Sequence, residues 1–189
     1  MRDTIIQKSV DLFQRYGYAK TTLTDIAKSV GKVKSAIYYY FGGKEEIFSA
    51  IVRSEAHDFY LTLEREISEV SDTVSKIEKY IELRIGLMQQ VADRYSFLKA
   101  ELFELLPLLE ENRKVYIDAE IDLVFNLLKN YPTVLNKKTT DKELLFSANL
   151  LVKTLKGMEI QMYVTNELPV ETENIDAFKS FLLHGVLNK

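Results

Sequence analysis

Between positions 20 and 44 the chain gathers side chains suited to one kind of chemistry. Lys20, Lys28, Lys32, Lys34 and Lys44 carry positive charge, while Thr22, Thr24, Ser35, Tyr38, Tyr39 and Tyr40 offer hydroxyls, three of them on aromatic rings. Cations interleaved with hydroxyls and rings suit a polyanion. No catalytic arrangement competes with them. The chain has no cysteine, which excludes disulfides, thiolate zinc sites and cysteine nucleophiles. His57 and His184 are too few for a dedicated transition-metal site. The helical phase of His57, nearly opposite Phe48, Val52 and Phe59, points it to solvent. No nucleophile–base pair, phosphate-binding glycine loop or metal-ligand cluster is present, so an enzyme is disfavoured and no cofactor is expected.

The charge is unevenly spread. Met1 to Lys44 holds eight Lys and Arg against three Asp, a net of +5, which leaves −8 for the remainder of a chain whose total is −3. A basic head on an acidic body fits a polyanion-binding module joined to a non-binding domain. Solvated helix faces produce similar runs, so charge alone does not settle the matter. Hydrophobic residues make up 47% of the 189 residues, enough for a substantial core, and only three prolines and seven glycines interrupt them. The start lacks the apolar stretch of a signal peptide and no apolar run reaches spanning length. A soluble, cytoplasmic protein with no membrane partner is the expectation.

The elements that position the basic residues are short helices. Ile6, Val10 and Phe13 recur at helical spacing, and Gly17 is placed to end that helix. Thr22 can cap a second helix, with Asp25 returning the bond as in a capping box. Leu23, Ile26, Ala27 and Val30 form its apolar stripe, and Gly31 closes it. A third helix is predicted over Lys34–Phe41, with Val33, Ile37 and Phe41 on one face and Tyr38 and Tyr39 turned away from the core. Gly42-Gly43 breaks it. Lys44-Glu45-Glu46-Ile47 then opens a longer helix with acidic residues in its first turn. Two short helices joined by a tight glycine turn, the second showing polar and aromatic side chains outward, form a helix-turn-helix. Its second helix suits the major groove, where N-terminal side chains reach base edges.

The stretch Thr21 to Ala27, then Gly31, then Ile37 to Phe48, closely resembles the DNA-binding signature of the TetR (tetracycline-repressor) family, with Leu12-Phe13 and Gly17-Tyr18 matching upstream. The resemblance covers roughly the first fifty residues and implies roles position by position. Thr22 would hold a phosphate with free backbone N–H groups. Lys34, Ser35 and Ala36 would face bases or nearby phosphates. Tyr38 and Tyr39 would press on the sugar-phosphate backbone, and Lys44 would neutralise a flanking phosphate. Ile37 and Phe41 would be core. Thr24, Lys32 and Tyr40 complete the DNA-binding set. Two departures bear on the operator sequence: Lys32-Val33 stands where family members often have Val-Ser, and Ser35 stands where glycine is common. The competing reading makes the tyrosines ordinary packing and Lys32 and Lys34 solvated charge.

The rest of the chain reads as long helices: about Ile47–Val70, Asp72 or Thr73 to Ala92, Tyr95–Leu106 stopped by Pro107, Leu108–Tyr131 ended by Pro132, Asp141–Asn166 capped by Thr140 and bounded by Pro169, and Thr172–Leu187. The fold expected is all-α, about nine helices, with a helix-turn-helix domain at 1–46 and a sensing and dimerisation domain at 47–189. In the Asp141–Asn166 helix, Leu144, Leu151 and Met158 lie seven apart, interleaved with Ala148, Leu155 and Met162. Similarity to TetR-like proteins implies that the final two helices make a four-helix dimer interface, here with Phe178, Phe181 and Leu182. The alternative is burial within one subunit. Candidates for contact with a small-molecule effector are Phe59, Met88, Phe97, Phe103, Phe125 and Asn149, each weighed against an ordinary core role. The expected function is a repressor that binds a near-palindromic operator in double-stranded DNA as a homodimer and is released by an effector of unknown identity. A regulator without an effector, controlled by a protein partner, is the alternative.

Overall fold

Helix boundaries in the computed structural model, which describes residues 1–131, 139–165 and 174–187, follow local capping chemistry. The helices are Arg2–Tyr16 (α1), Leu23–Ser29 (α2), Lys34–Tyr38 (α3), Lys44–Ser68 (α4), Thr73–Arg94 (α5), Leu102–Lys129 (α6), Asp141–Thr165 (α7) and Ile175–Leu187 (α8), with a 3-10 turn at Ser96–Ala100. The described residues thus hold eight α-helices, against about nine expected, and no strand. Gly17, at φ 83°, ends α1, its N–H bonded to the Phe13 carbonyl. Asp72 caps α5 by accepting from the Ser75 N–H at 2.8 Å. At α7 the reciprocal pair is Thr140 with Glu143: the Glu143 N–H donates to Thr140 Oγ1 at 3.3 Å and the Thr140 N–H to Glu143 Oε2 at 2.8 Å. Pro132, Pro169 and Thr172, read as helix punctuation, lie outside the described residues.

Pro107 does not end a helix. It sits inside α6, whose first turn begins with the Leu105 N–H on the Glu101 carbonyl at 3.1 Å. Only one ladder bond, to the Phe103 carbonyl, is lost there, and twenty-two residues of helix follow to outweigh it. The helix expected over Tyr95–Leu106 is instead the 3-10 turn and the start of α6.

Two compact units result. The first is Met1–His57 with Arg94–Lys114, and the second is Asp58–Asp93 with Val115–Lys189. The boundary expected at 46/47 therefore falls inside α4, and the head takes in a segment from the middle of the chain. Its core is Ile5, Phe13, Ile26, Ile37, Phe41, Ile47 and Phe48 from the N-terminal helices, with Leu102, Leu105 and Leu109 from α6. Phe13, Tyr18 and Phe48 meet edge-on or tilted, with centroids 5.0–6.1 Å apart.

In the second unit the α7 residues Leu144, Ala148, Leu151, Leu155 and Met162 are buried within the protomer, so the seam assigned to a partner is core. Charge is buried there too. Arg84 of α5 is fully enclosed: its Nε donates to Glu120 of α6 at 2.8 Å, Glu159 of α7 stands 3.7 Å from Nη2, and the Phe59 ring lies 4.7 Å from the guanidinium. The Tyr80 hydroxyl donates to the same Glu120 at 2.7 Å, and burial, then the Glu120 charge, pushes the Tyr80 phenol well above its ordinary pKa. Removing one partner of a buried charge group costs far more than the group gains the fold. Arg84→Ala is therefore expected to lower the unfolding free energy by about 3–5 kcal/mol, measured by urea denaturation at fixed protein concentration. A loss below about 1 kcal/mol would mean the group is not a structural anchor.

Candidate nucleic-acid interface

The turn between α2 and α3 is built by backbone. Gly31 takes φ 66°, a conformation open to glycine, and lets the Lys32 N–H reach back to the Ala27 carbonyl at 2.9 Å. Val33 follows in an extended conformation as the N-cap of α3, offering no side-chain cap. Being outside the helix, it does not share the phase of Ile37 and Phe41 and stands 70% exposed, contrary to the expected stripe. Ile37 and Phe41 are buried as expected. Regular α-helix stops at Tyr38, earlier than the predicted Phe41, although the Phe41 N–H still bonds the Ile37 carbonyl at 3.0 Å.

With α3 anchored by two apolar residues, its other side is presented to solvent. Lys32, Lys34 and Ser35 are exposed, Ala36 and Tyr40 are half-buried, Tyr38 is half-exposed, and Tyr39 is 84% exposed. Lys34 Nζ lies 5.7 Å from the Tyr38 ring. Tyr39 and Tyr40 pack edge-to-face with centroids 4.9 Å apart. Such exposed rings and cations suit the rails and edges of a nucleic acid groove.

Thr22 and Thr24 are exposed at the start of α2. The Thr22 hydroxyl accepts from the Asp25 N–H at 3.2 Å and donates to the Asp25 carboxylate at 2.6 Å, which also takes the Thr22 N–H at 3.0 Å. The capping box is thus complete. It commits the Thr22 hydroxyl proton, so an incoming phosphate must compete with Asp25 or use the next N–H groups along. Lys44 is also more engaged than a simple phosphate contact. Its half-buried ammonium donates to the Tyr18 carbonyl at 2.7 Å and the Ala19 carbonyl at 3.3 Å, and sits 4.2 Å from the Tyr18 ring centroid. Burial lowers its pKa, with Glu101 opposing. One of its three N–H groups remains for a phosphate.

Sequence reasoning missed three head residues that hold this arrangement. Thr21 is buried and donates to the Gly17 carbonyl at 2.8 Å, and Glu101 accepts from the Ala19 N–H. Glu55 takes Arg94 at 3.0 Å and the Tyr95 hydroxyl at 2.7 Å. Nothing local marks Glu101, because its partner is 82 positions away. The buried charges of the second unit did leave a signal: Arg84 falls on the same helical phase as Ile77, Ile81 and Met88.

The effector candidates scatter. Met88 is buried and Phe59 half-buried beside Arg84. Phe125 is half-buried under Lys129, and Asn149 donates to the Leu145 carbonyl of its own helix at 2.9 Å. Phe103 is 73% exposed, and the Phe97 side chain lies outside the described residues. No group of three His, Cys, Asp or Glu among the described residues is placed to hold a metal ion, and no described helix is long and apolar enough to cross a membrane.

The sequence profile of bacterial regulatory proteins, tetR family, matches residues 5–51. The chain is 44% identical over 54 residues to the biofilm operon icaADBC HTH-type negative transcriptional regulator IcaR of Staphylococcus epidermidis, and the aligned stretch spans 29% of each chain. The likeness thus covers less than a third of that relative's length. In fold, the chain is similar to the fatty acid degradation regulator FadR from Bacillus halodurans, with a TM-score of 0.71 at 18% identity, covering 96% of this chain and 94% of that one. It is also similar to the transcriptional regulator FadR from Bacillus subtilis in complex with stearoyl-CoA, with a TM-score of 0.64 at 18% identity, covering 99% and 98%.

The capping box makes a testable statement about protonation. Hydrogen bonds from Thr22, first the side chain and then the backbone, hold the Asp25 pKa below the ordinary carboxylate value. A depressed pKa contributes stability that is present above the ordinary value and lost as pH falls through the lowered one. Thr22→Val should move Asp25 back up into the usual range, read by carboxyl NMR titration. An already ordinary Asp25 pKa in the unaltered protein would refute the box.

Proposed function

We propose that the chain, whose residues 5–51 match the sequence profile of bacterial regulatory proteins of the tetR family, is a repressor that binds a near-palindromic operator as a homodimer. The observation that carries this reading is α3 itself: Ile37 and Phe41 hold it down, and Lys34, Ser35, Tyr38 and Tyr39 stand outward. Lys34, Ser35 and Ala36, at its N-terminus, face base edges or adjacent phosphates. Tyr38 and Tyr39 bear on the sugar-phosphate backbone, with Tyr40 supporting Tyr39, and Lys32, Thr22, Thr24 and Lys44 supply flanking contacts. Such a regulator works in the cytoplasm, where the DNA is. The negative regulator IcaR, sharing this head, supports repression as the sign.

A recognition helix of five residues reads few bases, so two heads at a fixed spacing are needed for useful specificity. The partner surface we assign differs from the buried seam. On the outer side of α7, Phe146, Leu150, Gly157, Ile160 and Val164 follow one another at helical intervals, Phe146 being 63% exposed. A Cβ built at Gly157 meets nothing within 4 Å, so a second helix can approach closely there. Phe181 of α8, 74% exposed, remains from the original set, as do half-buried Met158 and Phe178. This apolar stripe is what two copies would bury against each other.

Release by a small molecule acting on the second unit completes the reading. The stearoyl-CoA complex of the Bacillus subtilis FadR supports the capacity of this fold to hold an effector. Phe59 and Met88, next to the Arg84 group, are the candidates placed best to meet one. An effector lowers DNA affinity only through its preference for the state whose heads are misplaced.

Lys34→Ala should weaken binding to a duplex selected from a random pool by the purified protein, and should reduce the slope of log affinity against log salt by about one. Tyr39→Ala should weaken it about tenfold while changing stability by less than about 0.5 kcal/mol. Unchanged affinity in both variants at moderate salt refutes the assigned docking face. Separately, the double variant Phe146→Glu with Leu150→Glu should sediment as a monomer and lose tight operator binding. A persistent dimer in analytical ultracentrifugation would relocate the interface.

A further inference from the structure

The five residues Gly17 to Thr21 connect α1 to the cap of α2, and one peptide unit within them is held at both ends. Its oxygen, the Tyr18 carbonyl, accepts from Lys44 Nζ at 2.7 Å. Its nitrogen, the Ala19 N–H, donates to both carboxylate oxygens of Glu101, at 3.0 and 3.1 Å. The Tyr18 ring lies under the same ammonium and is wedged against Phe13 and Phe48. Beyond the clasped peptide, Thr21 closes back on Gly17 and Thr22 caps α2. Glu101 lies immediately before α6, in the segment that packs into the head unit from the middle of the chain.

Resting on the DNA-binding reading above, we propose that Glu101 is a positioning residue for DNA binding, fixing with Lys44 the orientation of the Tyr18–Ala19 peptide and so the start of α2 against which α3 is set. A hydrogen bond to an ionised group is stronger than a neutral one, and here a cation and an anion grip opposite poles of one peptide dipole. Flipping that peptide forfeits both. The grip matters for recognition because the loop leads in three residues to the α2 N-terminus, whose N–H groups face the same flank as the recognition helix in a helix-turn-helix. Small errors of placement there are felt at every phosphate and base contact together.

The sign of the effect makes the proposal testable. By long-range electrostatics alone, deleting a carboxylate from a DNA-binding head raises its positive charge and tightens its hold on a polyanion. Positioning demands the opposite. Glu101→Ala should weaken binding to the pool-selected duplex by about tenfold, with the salt slope unchanged because no phosphate contact is removed. Glu101→Gln keeps an oxygen for the Ala19 N–H and should recover much of the affinity. Hydrogen exchange of the Ala19 amide should quicken in Glu101→Ala while circular dichroism and dimerisation stay as they were. Equal or tighter DNA binding by Glu101→Ala overturns the proposal, as does an unaltered Ala19 exchange rate. If Glu101→Ala fails to fold, Glu101→Gln carries the same comparison, and wild-type affinity with wild-type salt slope but faster Ala19 exchange then overturns it. If the unaltered protein selects no duplex at all, the DNA-binding reading itself fails, and the proposal with it.

Discussion

A helix of five residues has no stability of its own in water, since nucleation costs more than so few hydrogen bonds return. Everything the head presents outward therefore depends on the burial of Ile37 and Phe41, which fastens α3 to the core made by α1, α2 and the start of α4. Two apolar side chains four apart fix not only the position but the rotation of the helix, because they leave the opposite face no alternative but solvent. Exposed Tyr39, the lysines and Ser35 follow from that constraint.

The same logic runs outward through the head. The loop before α2 is short, so its backbone groups cannot all bond to one another, and side chains complete them: Thr21 locally at Gly17, and Lys44 and Glu101, from far along the chain, at one peptide. Backbone polar groups that no neighbour along the chain can satisfy take partners whatever the sequence distance. The head's compact unit accordingly includes Arg94–Lys114, which also brings Leu102, Leu105 and Leu109 to its core.

The second unit solves a different problem. Its helices are apolar on more than one side, and α7 shows the consequence. The heptad seam of Leu144, Leu151 and their neighbours is used inside the protomer, while a second stripe through Phe146, Leu150 and Ile160 is left outside. Periodicity marks an apolar stripe but carries no label saying what will cover it. Seven-residue spacing marks a stripe that is buried here, because core packing within a bundle and packing between subunits use the same geometry. The buried Arg84 group shows the complementary limit: each charge sits at an apolar phase of its own helix, yet only three helices brought together reveal that Arg84, Glu120 and Glu159 answer one another.

Local chemistry, then, determined what lies within a few residues of itself. The glycine at position 31, the Thr22–Asp25 box, the Thr140 cap and the outward turn of Tyr38 and Tyr39 were all legible, because capping and helical phase act over one or two turns. Val33 and Pro107 were misjudged where phase was carried past a helix end or a proline was given more power than one lost hydrogen bond confers. Pairings across the chain belonged to the tertiary structure alone: Glu101 with Ala19, Arg84 with two glutamates, α7's inner face against its outer one. They are decided by which surfaces meet when the whole chain buries its apolar area, and that is a property of the assembled helices, absent from any single one.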